Sequence, residues 1–482
     1  MEDVGWEPAR LIPVSGISGA DEQERRGVSA LLAVLSSVKE FGRAITAPLG
    51  APAGTVSTFI EVPFSLGDRQ VRPDGVIRLS RGKQTWTALV EVKTGRNDLQ
   101  SAQLEDYLDV AREQGFDVVL TISNQLVTAP GQHPTSVDKK KLRKVSMQHL
   151  SWSQIHTEAV IERVNHSVAN PDQAWVLSEL IRYLEHPRSG AVDFDDMGPS
   201  WVTVRNGVKN KTLRATDTTA ADVVGRYGQL ISFAAMRLSR ALGVEVRSAL
   251  SKSDMTDMGV YTQAGVARLM STGVLQGALR VPNAAAPIEV TADLRSGLLT
   301  CSISLNAPAQ GRNTTRVNWL TRQLTKAPDD LLVETLSAWA RTPGPCRPLK
   351  TVRMSPESLF DDPKKELKFF TVRLSVQAGA KRGQGRDSFV GSVLDLIDRF
   401  YEDVVQHIKP WTPPVPSVRS RKAADDTETD DDGISGELPL KSVQRDTSAP
   451  DWDPPEPPAE VDVPAPEDLQ QKVNTAESAQ TH

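Results

Sequence analysis

The sequence predicts an α+β / α/β protein: an N-terminal core in the order αβββαβ, a second α+β domain and a disordered acidic C-terminal tail. Three observations carry this. Apolar residues between positions 28 and 38 recur at helical spacing, three strand-like runs follow one another between 58 and 93, and beyond Pro413 the composition turns to Pro, Asp, Glu and Ser. The expected divisions are a lead-in over 1–20, a first domain over 21–187, a linker over 188–200, an α+β domain of unknown role over 201–412 and the tail over 413–482.

The first helix is expected from Asp21, with Val28, Leu31, Leu32, Leu35 and Val38 as its apolar stripe. Asp21, Glu22 and Glu24 lie in its first turn, where carboxylates suit the helix dipole. Strands are predicted over 58–66, 70–79 and 84–93, punctuated by Gly67-Asp68 and Arg81-Gly82-Lys83. A helix over 98–114 places Leu99, Ala102, Leu104, Tyr107, Leu108 and Ala111 on one side, Gly115 caps it, and 118–122 reads as a buried strand. A strand over 145–150 and helices from Ser151 and over 173–185 complete the first domain. In the second, a helix over 220–242, antiparallel strands over 274–281, 288–294 and 298–305, strands over 331–336 and 369–377, and a helix over 388–406 are expected.

The net charge of −5 hides a division. From Arg419 to His482 there are 6 Lys+Arg against 16 Asp+Glu, a local charge of −10, which leaves +5 on the preceding 418 residues. A mildly basic body is compatible with a nucleic-acid partner. With only Cys301 and Cys346, neither a disulfide framework nor a cysteine-rich zinc site can be built. The apolar run around 28–38 is about half a membrane span, and no signal peptide is evident, so a soluble, cytoplasmic protein with no membrane partner is expected.

Three features converge on chemistry: Arg72-Pro73-Asp74-Gly75, then Glu91-Val92-Lys93 ending the next strand, then Gln103 and Tyr107 four apart on the following helix. Residues two apart in a strand share a face, so Glu91 and Lys93 point together while Val92 points to the apolar side. Asp74, on the neighbouring strand, can bring a second carboxylate to Glu91. Two carboxylates, with the Val92 carbonyl, suit a hard dication such as Mg²⁺. Such an ion polarises a phosphodiester oxygen and activates water, and Lys93 can position the attacking water or stabilise charge developing on the phosphoryl group. Pro73 suits an irregular point in a strand, since it cannot donate to the ladder.

Pro73-Asp74, sixteen residues, then Glu91-Val92-Lys93 resembles the signature of the PD-(D/E)xK nuclease superfamily, and Gln103-x-x-x-Tyr107 is similar to the helix motif of its RecB-like branch. The resemblance spans roughly residues 20–155 and implies a restriction-endonuclease-like core. It implies that Asp74 and Glu91 hold Mg²⁺ (Mn²⁺ can substitute), that Lys93 is the catalytic lysine, and that Gln103 and Tyr107 support the site or contact DNA. Many members add a glutamate from the first helix. Glu24 is the candidate, with Glu22 behind it, and Glu61 on its alternating run is a weaker one. The implied activity is a Mg²⁺-dependent deoxyribonuclease, with DNA defence or repair as its setting.

Other features are less specific. Lys139, Lys140 and Lys141, with Arg143 and Lys144, form a basic cluster that can be a solvated loop or a phosphate contact. The same applies to the loop over 381–386. His149, His156 and His166 lack metal-ligand spacing and read as surface or packing residues. There is neither a Walker A motif nor a Gly-x-Ser-x-Gly elbow. Two rivals stand beside the deoxyribonuclease: a catalytically silent nucleic-acid-binding or scaffold protein, and an RNA-directed nuclease. The second domain or the tail offers a surface for a protein partner, and a dimer is compatible with the sequence.

Overall fold

The computed structural model describes residues 12, 19–129, 131–164, 168–214 and 217–412, all within one compact unit. The expected tail, almost all of the lead-in and His166 lie outside the described residues.

The chain opens with α1 (Ala20–Ser37), which breaks at the extended Val38 into α2 (Lys39–Thr46). Gly42 makes that break possible: a Cβ there would stand 2.3 Å from the Leu35 carbonyl oxygen. The helical stripe is as the spacing implies, with Val28, Leu31, Leu32 and Leu35 buried. Each such side chain contributes about 1.5–3 kcal/mol relative to exposure.

The three expected strands are cut differently. The run over 58–66 is two elements, β1 (Thr55–Ile60) and β2 (Phe64–Leu66), because the chain turns at Glu61, whose φ is 49°. The run over 70–79 is likewise β3 (Arg69–Val71) and β4 (Gly75–Arg81), separated by Arg72-Pro73-Asp74. β2 and β3 pair only with each other. The alternation continued across both breaks, so periodicity alone could not reveal this small hairpin.

Next come β5 (Gln84–Val92), α3 (Ser101–Gln114), β6 (Val118–Ser123), β7 (Ser146–Ser151), α4 (Trp152–Val164) and α5 (Pro171–Leu184). The five-stranded sheet has the order β1-β4-β5-β6-β7, antiparallel across β1, β4 and β5 and parallel across β5, β6 and β7. One face packs α1, α2, α4 and α5 against Ile77, Val90, Val92 and Leu120, and the other packs α3 against Val76, Leu89 and Val119. Cover on both faces explains why β6 is apolar throughout except at Thr121 and Ser123.

The stretch 188–200, expected as a linker, carries Phe194 and Met197 buried in the second core. Its Gly190 carbonyl accepts from Gly95 N at 2.9 Å and Asn124 Nδ2 at 2.7 Å. Then follow α6 (Trp201–Lys209), α7 (Thr218–Leu242), β8 (Arg247–Ser248), α8 (Lys252–Thr256), α9 (Met258–Thr272), β9 (Val274–Arg280), β10 (Ile288–Asp293), β11 (Leu298–Asn306), α10 (Asn313–Gln323), β12 (Leu332–Ser337), β13 (Cys346–Pro348), α11 (Leu349–Met354), β14 (Leu367–Gln377) and α12 (Phe389–Asp403). The last helix stops short of the expected 406.

The second sheet is antiparallel, ordered β13-β12-β14-β11-β10-β9-β8. Cys301, Ile303, Val372 and Leu374 turn into its core, while Thr300, Ser302, Thr371 and Ser375 alternate to the other face. The chain is therefore a mixed α+β protein. Among the described residues, no helix is long and apolar enough to cross a membrane.

Candidate active site at the end of the fifth strand

Four elements meet where β5 ends. Asp74 lies in the irregular link entering β4, Glu91 near the end of β5, Lys93 just past it, and Glu24 in the first turns of α1. Gly75 lets α1 lie close over β4: a Cβ there would come 2.4 Å from Leu32 Cδ1. That packing brings Glu24 to the strand end, where its Oε1 accepts from Lys93 Nζ at 2.8 Å. Glu22 instead pairs with Arg26 at 2.6 Å.

Asp74 substitutes for a missing ladder partner. Its Oδ2 accepts from Val92 N at 2.7 Å, in place of the strand carbonyl that would accept there if the ladder, which begins at Gly75 and Val90, ran on. The N–H and C=O of a strand residue face the same neighbour, so the Val92 carbonyl also faces the Asp74 side. Lys93 N, one residue on, donates to Ile122 O at 2.7 Å on the opposite side. The Val92 side chain is fully buried in the apolar core.

Glu91 is 1% exposed. Lys93 Nζ stands 2.8 Å from its Oε1 as an ion pair, and among the described residues no backbone N–H donates to either carboxylate oxygen. The Tyr107 hydroxyl neighbours Glu91 as well, and it stands 3.1 Å from the Arg72 carbonyl and accepts from Gln103 Nε2 at 2.9 Å. The Gln103–Tyr107 pair thus anchors the segment that carries Asp74.

The electrostatics follow from this geometry. Burial, then the neighbouring charge of Asp74, pushes Glu91 up to about 7, against the opposing pull of Lys93. Burial also raises Asp74, partly offset by the Val92 N–H. Burial pulls Lys93 down, but the carboxylates of Glu91 and Glu24 more than reverse this and hold it above its ordinary value. Lys93 is therefore a cation at neutral pH. Burial and the Glu91 charge raise Tyr107.

These residues fit a divalent cation. A buried carboxylate, a second carboxylate beside it and a strand-end carbonyl form an all-oxygen set, and Mg²⁺ commonly takes one or two carboxylates and keeps its remaining ligands as water. Among the described residues, no group of three or more His, Cys, Asp or Glu is arranged to hold a metal ion, and Glu24 is hydrogen-bonded to Lys93. The protein's donors would thus be Asp74, Glu91 and the Val92 carbonyl.

The basic cluster is not part of this constellation. Lys141 pairs with Asp109 at 2.7 Å and Glu105 at 3.6 Å on α3. Those residues lie about 200° around the helix from Gln103 and Tyr107. Lys139 and Lys140 are exposed beside them. Glu61 reaches the rim, with its N–H donating to Asp74 O at 3.1 Å. The loop over 381–386 is tied to the 195–197 segment through Arg382 O, which accepts from Met197 N, and Gln384, which donates to Asp195.

His149 and His156 are packing residues. Burial pushes each down to about 4. His149 bonds Thr121 Oγ1 through Nδ1 at 2.8 Å and Gln125 O through Nε2 at 2.9 Å.

Two contributors escape sequence reasoning. The Trp152 indole donates to Lys93 O at 3.0 Å from 59 positions away, a contact without a local signal. Trp152 also lines a cleft of about 500 Å³ with His156, Asp193 and Arg240, which places that cleft behind the acidic cluster. Thr121 pairs in register with Glu91. Its polarity in an otherwise apolar inner strand was the available signal. Comparison with protein-family models, with curated proteins and with solved structures finds no match to this chain.

Proposed function

We infer that this chain is a Mg²⁺-dependent deoxyribonuclease of PD-(D/E)xK type, with a restriction-endonuclease-like core formed by the five-stranded sheet and its helices. The observation that carries the reading is Glu91: a buried carboxylate beside Asp74, ion-paired at 2.8 Å to a single cationic lysine that Glu24 also engages. One lysine shared with Glu24 offsets two neighbouring carboxylates only in part, and a second cation would offset the rest.

In this reading Asp74, Glu91 and the Val92 carbonyl hold the ion, which when bound supplies Lewis-acid charge and lowers the pKa of coordinated water. Lys93 sets a positive charge against the phosphoryl oxygens as negative charge builds. Glu24 on one side and the Trp152 indole on the other fix the position of Lys93. Gln103 and Tyr107 fix the 72–74 segment and so the aim of Asp74. Lys93 serves as electrostatic support. DNA defence or repair is the setting this chemistry suits.

The test is incubation of the full chain with supercoiled, linear and single-stranded DNA, and with RNA, in Mg²⁺, Mn²⁺ or EDTA. The expected result is DNA cleavage that needs the metal and is lost in Lys93→Ala. RNA-only cleavage would reassign the substrate. Tight DNA binding without cleavage under any condition would leave a nucleic-acid-binding scaffold.

A further inference from the structure

At the rim of the site, Glu61 bridges two arginines from different elements. Its Oε1 is 3.7 Å from Arg25 Nε on α1, and its Oε2 is 3.8 Å from Arg72 Nη1. Arg25 follows Glu24 directly and Arg72 precedes Asp74 by two residues, so the bridge joins the two segments that supply acidic residues to the site. Its own N–H is fixed to the Asp74 carbonyl.

Stability does not account for this arrangement. All three side chains are largely open to solvent, at 73%, 58% and 49% exposure for Arg25, Arg72 and Glu61, and both ion pairs are long. Exposed pairs of this kind contribute about 0–1 kcal/mol. Against that, Glu61 holds φ at 49°, a left-handed conformation that costs a non-glycine residue on the order of 1 kcal/mol. Backbone strain of this sort persists at sites of function. The trio has a net positive charge, and guanidinium groups match phosphate oxygens in fork geometry.

We propose that Arg25 and Arg72 form a clamp for backbone phosphates flanking the cleaved bond, with the Glu61 carboxylate occupying the place that a phosphate takes over. This rests on the nuclease reading and adds a substrate-binding subsite to it. The bound strand would run between α1 and the 72–74 segment, with the carboxylate pair beneath. Glu61 would keep both arginines facing inward before binding and weaken association with anions that cannot span both.

The experiment measures affinity for a short labelled DNA duplex across a salt series, using full-length protein in a Lys93→Ala background so that the duplex stays intact. Each neutralised phosphate contact changes the slope of log affinity against log salt by about 0.9. Arg25→Gln and Arg72→Gln should each weaken binding and flatten the slope by about that amount. Glu61→Gln should tighten binding at low salt. Unchanged slopes in both arginine variants, or weaker binding in Glu61→Gln, would overturn the clamp while leaving the nuclease reading in place. A parent with no salt-dependent DNA binding would overturn both. Thermal melts of the same variants should be unchanged, because the three side chains are exposed.

Discussion

Each of the two sheet regions buries a charged side chain, and the two are held in opposite ways. In the second region Arg316 is 4% exposed. Its Nε donates to Gly311 O at 3.1 Å, its Nη1 to Leu367 O at 2.6 Å, and its Nη2 to Ala309 O at 3.1 Å and Glu366 Oε1 at 2.6 Å. Every nitrogen of the guanidinium has a partner, so this charge ties α10 to the entry of β14. In the first region Glu91 is still more buried, yet its one ion-pair partner is Lys93 at 2.8 Å, shared with Glu24, and burial and Asp74 oppose its ionisation more than Lys93 favours it. A satisfied buried charge belongs to the architecture. One set beside a second carboxylate, with a single shared lysine between them, leaves negative charge for something the fold alone does not provide.

The sharpest way to break this comparison is to neutralise Glu91. Glu91→Gln should reduce Mg²⁺-dependent DNA cleavage by about 10²–10³-fold in a steady-state assay, comparable to losing one preorganised electrostatic group. Undiminished cleavage would place the chemistry elsewhere.

Arg316→Met should do the reverse. It strands three carbonyls and should cost about 3 kcal/mol in a urea unfolding midpoint. The affinity of the folded protein for DNA should stay unchanged.

The smallest effect concerns pH. The folded-state pKa of Glu91 is raised, so its contribution to stability is intact below its ordinary value near 4.5 and is lost as pH rises through about 7. Metal-free protein should therefore lose melting temperature between about pH 4.5 and 7 and level off above that. Glu91→Gln should flatten that loss and be more stable at pH 8, by roughly 1–2 kcal/mol. A wild-type melting curve that does not fall over this range would mean that Glu91 is better solvated than its burial indicates.

Much of the first region was legible because local rules and tertiary packing agree there. The 28–38 stripe, the strand alternation that puts Glu91 and Lys93 on one face, and the Gln103–Tyr107 spacing are all short-range patterns. The hairpin of β2 and β3 was hidden because Glu61 and Pro73 interrupt strands without disturbing the alternation of side chains. The contact from Trp152 to Lys93 and the row from Glu91 through Thr121 to His149 depend on strand order, which a linear pattern does not encode. In the second region the antiparallel strands over 274–305 were readable from their turns. The pairing of β14 between β11 and β12 was not, because its partners lie on either side of α10 in the chain.

The central claim is that the charge left unsatisfied at Glu91 and Asp74 is completed by a divalent cation. Calorimetric titration of the metal-free full chain with Mn²⁺ at pH 8 tests it directly. The account predicts one ion per chain, with binding lost in Asp74→Asn and in Glu91→Gln and weakened as pH falls below about 7, where protons compete for Glu91. Binding that survives both substitutions, or no binding by the unaltered protein, would contradict it.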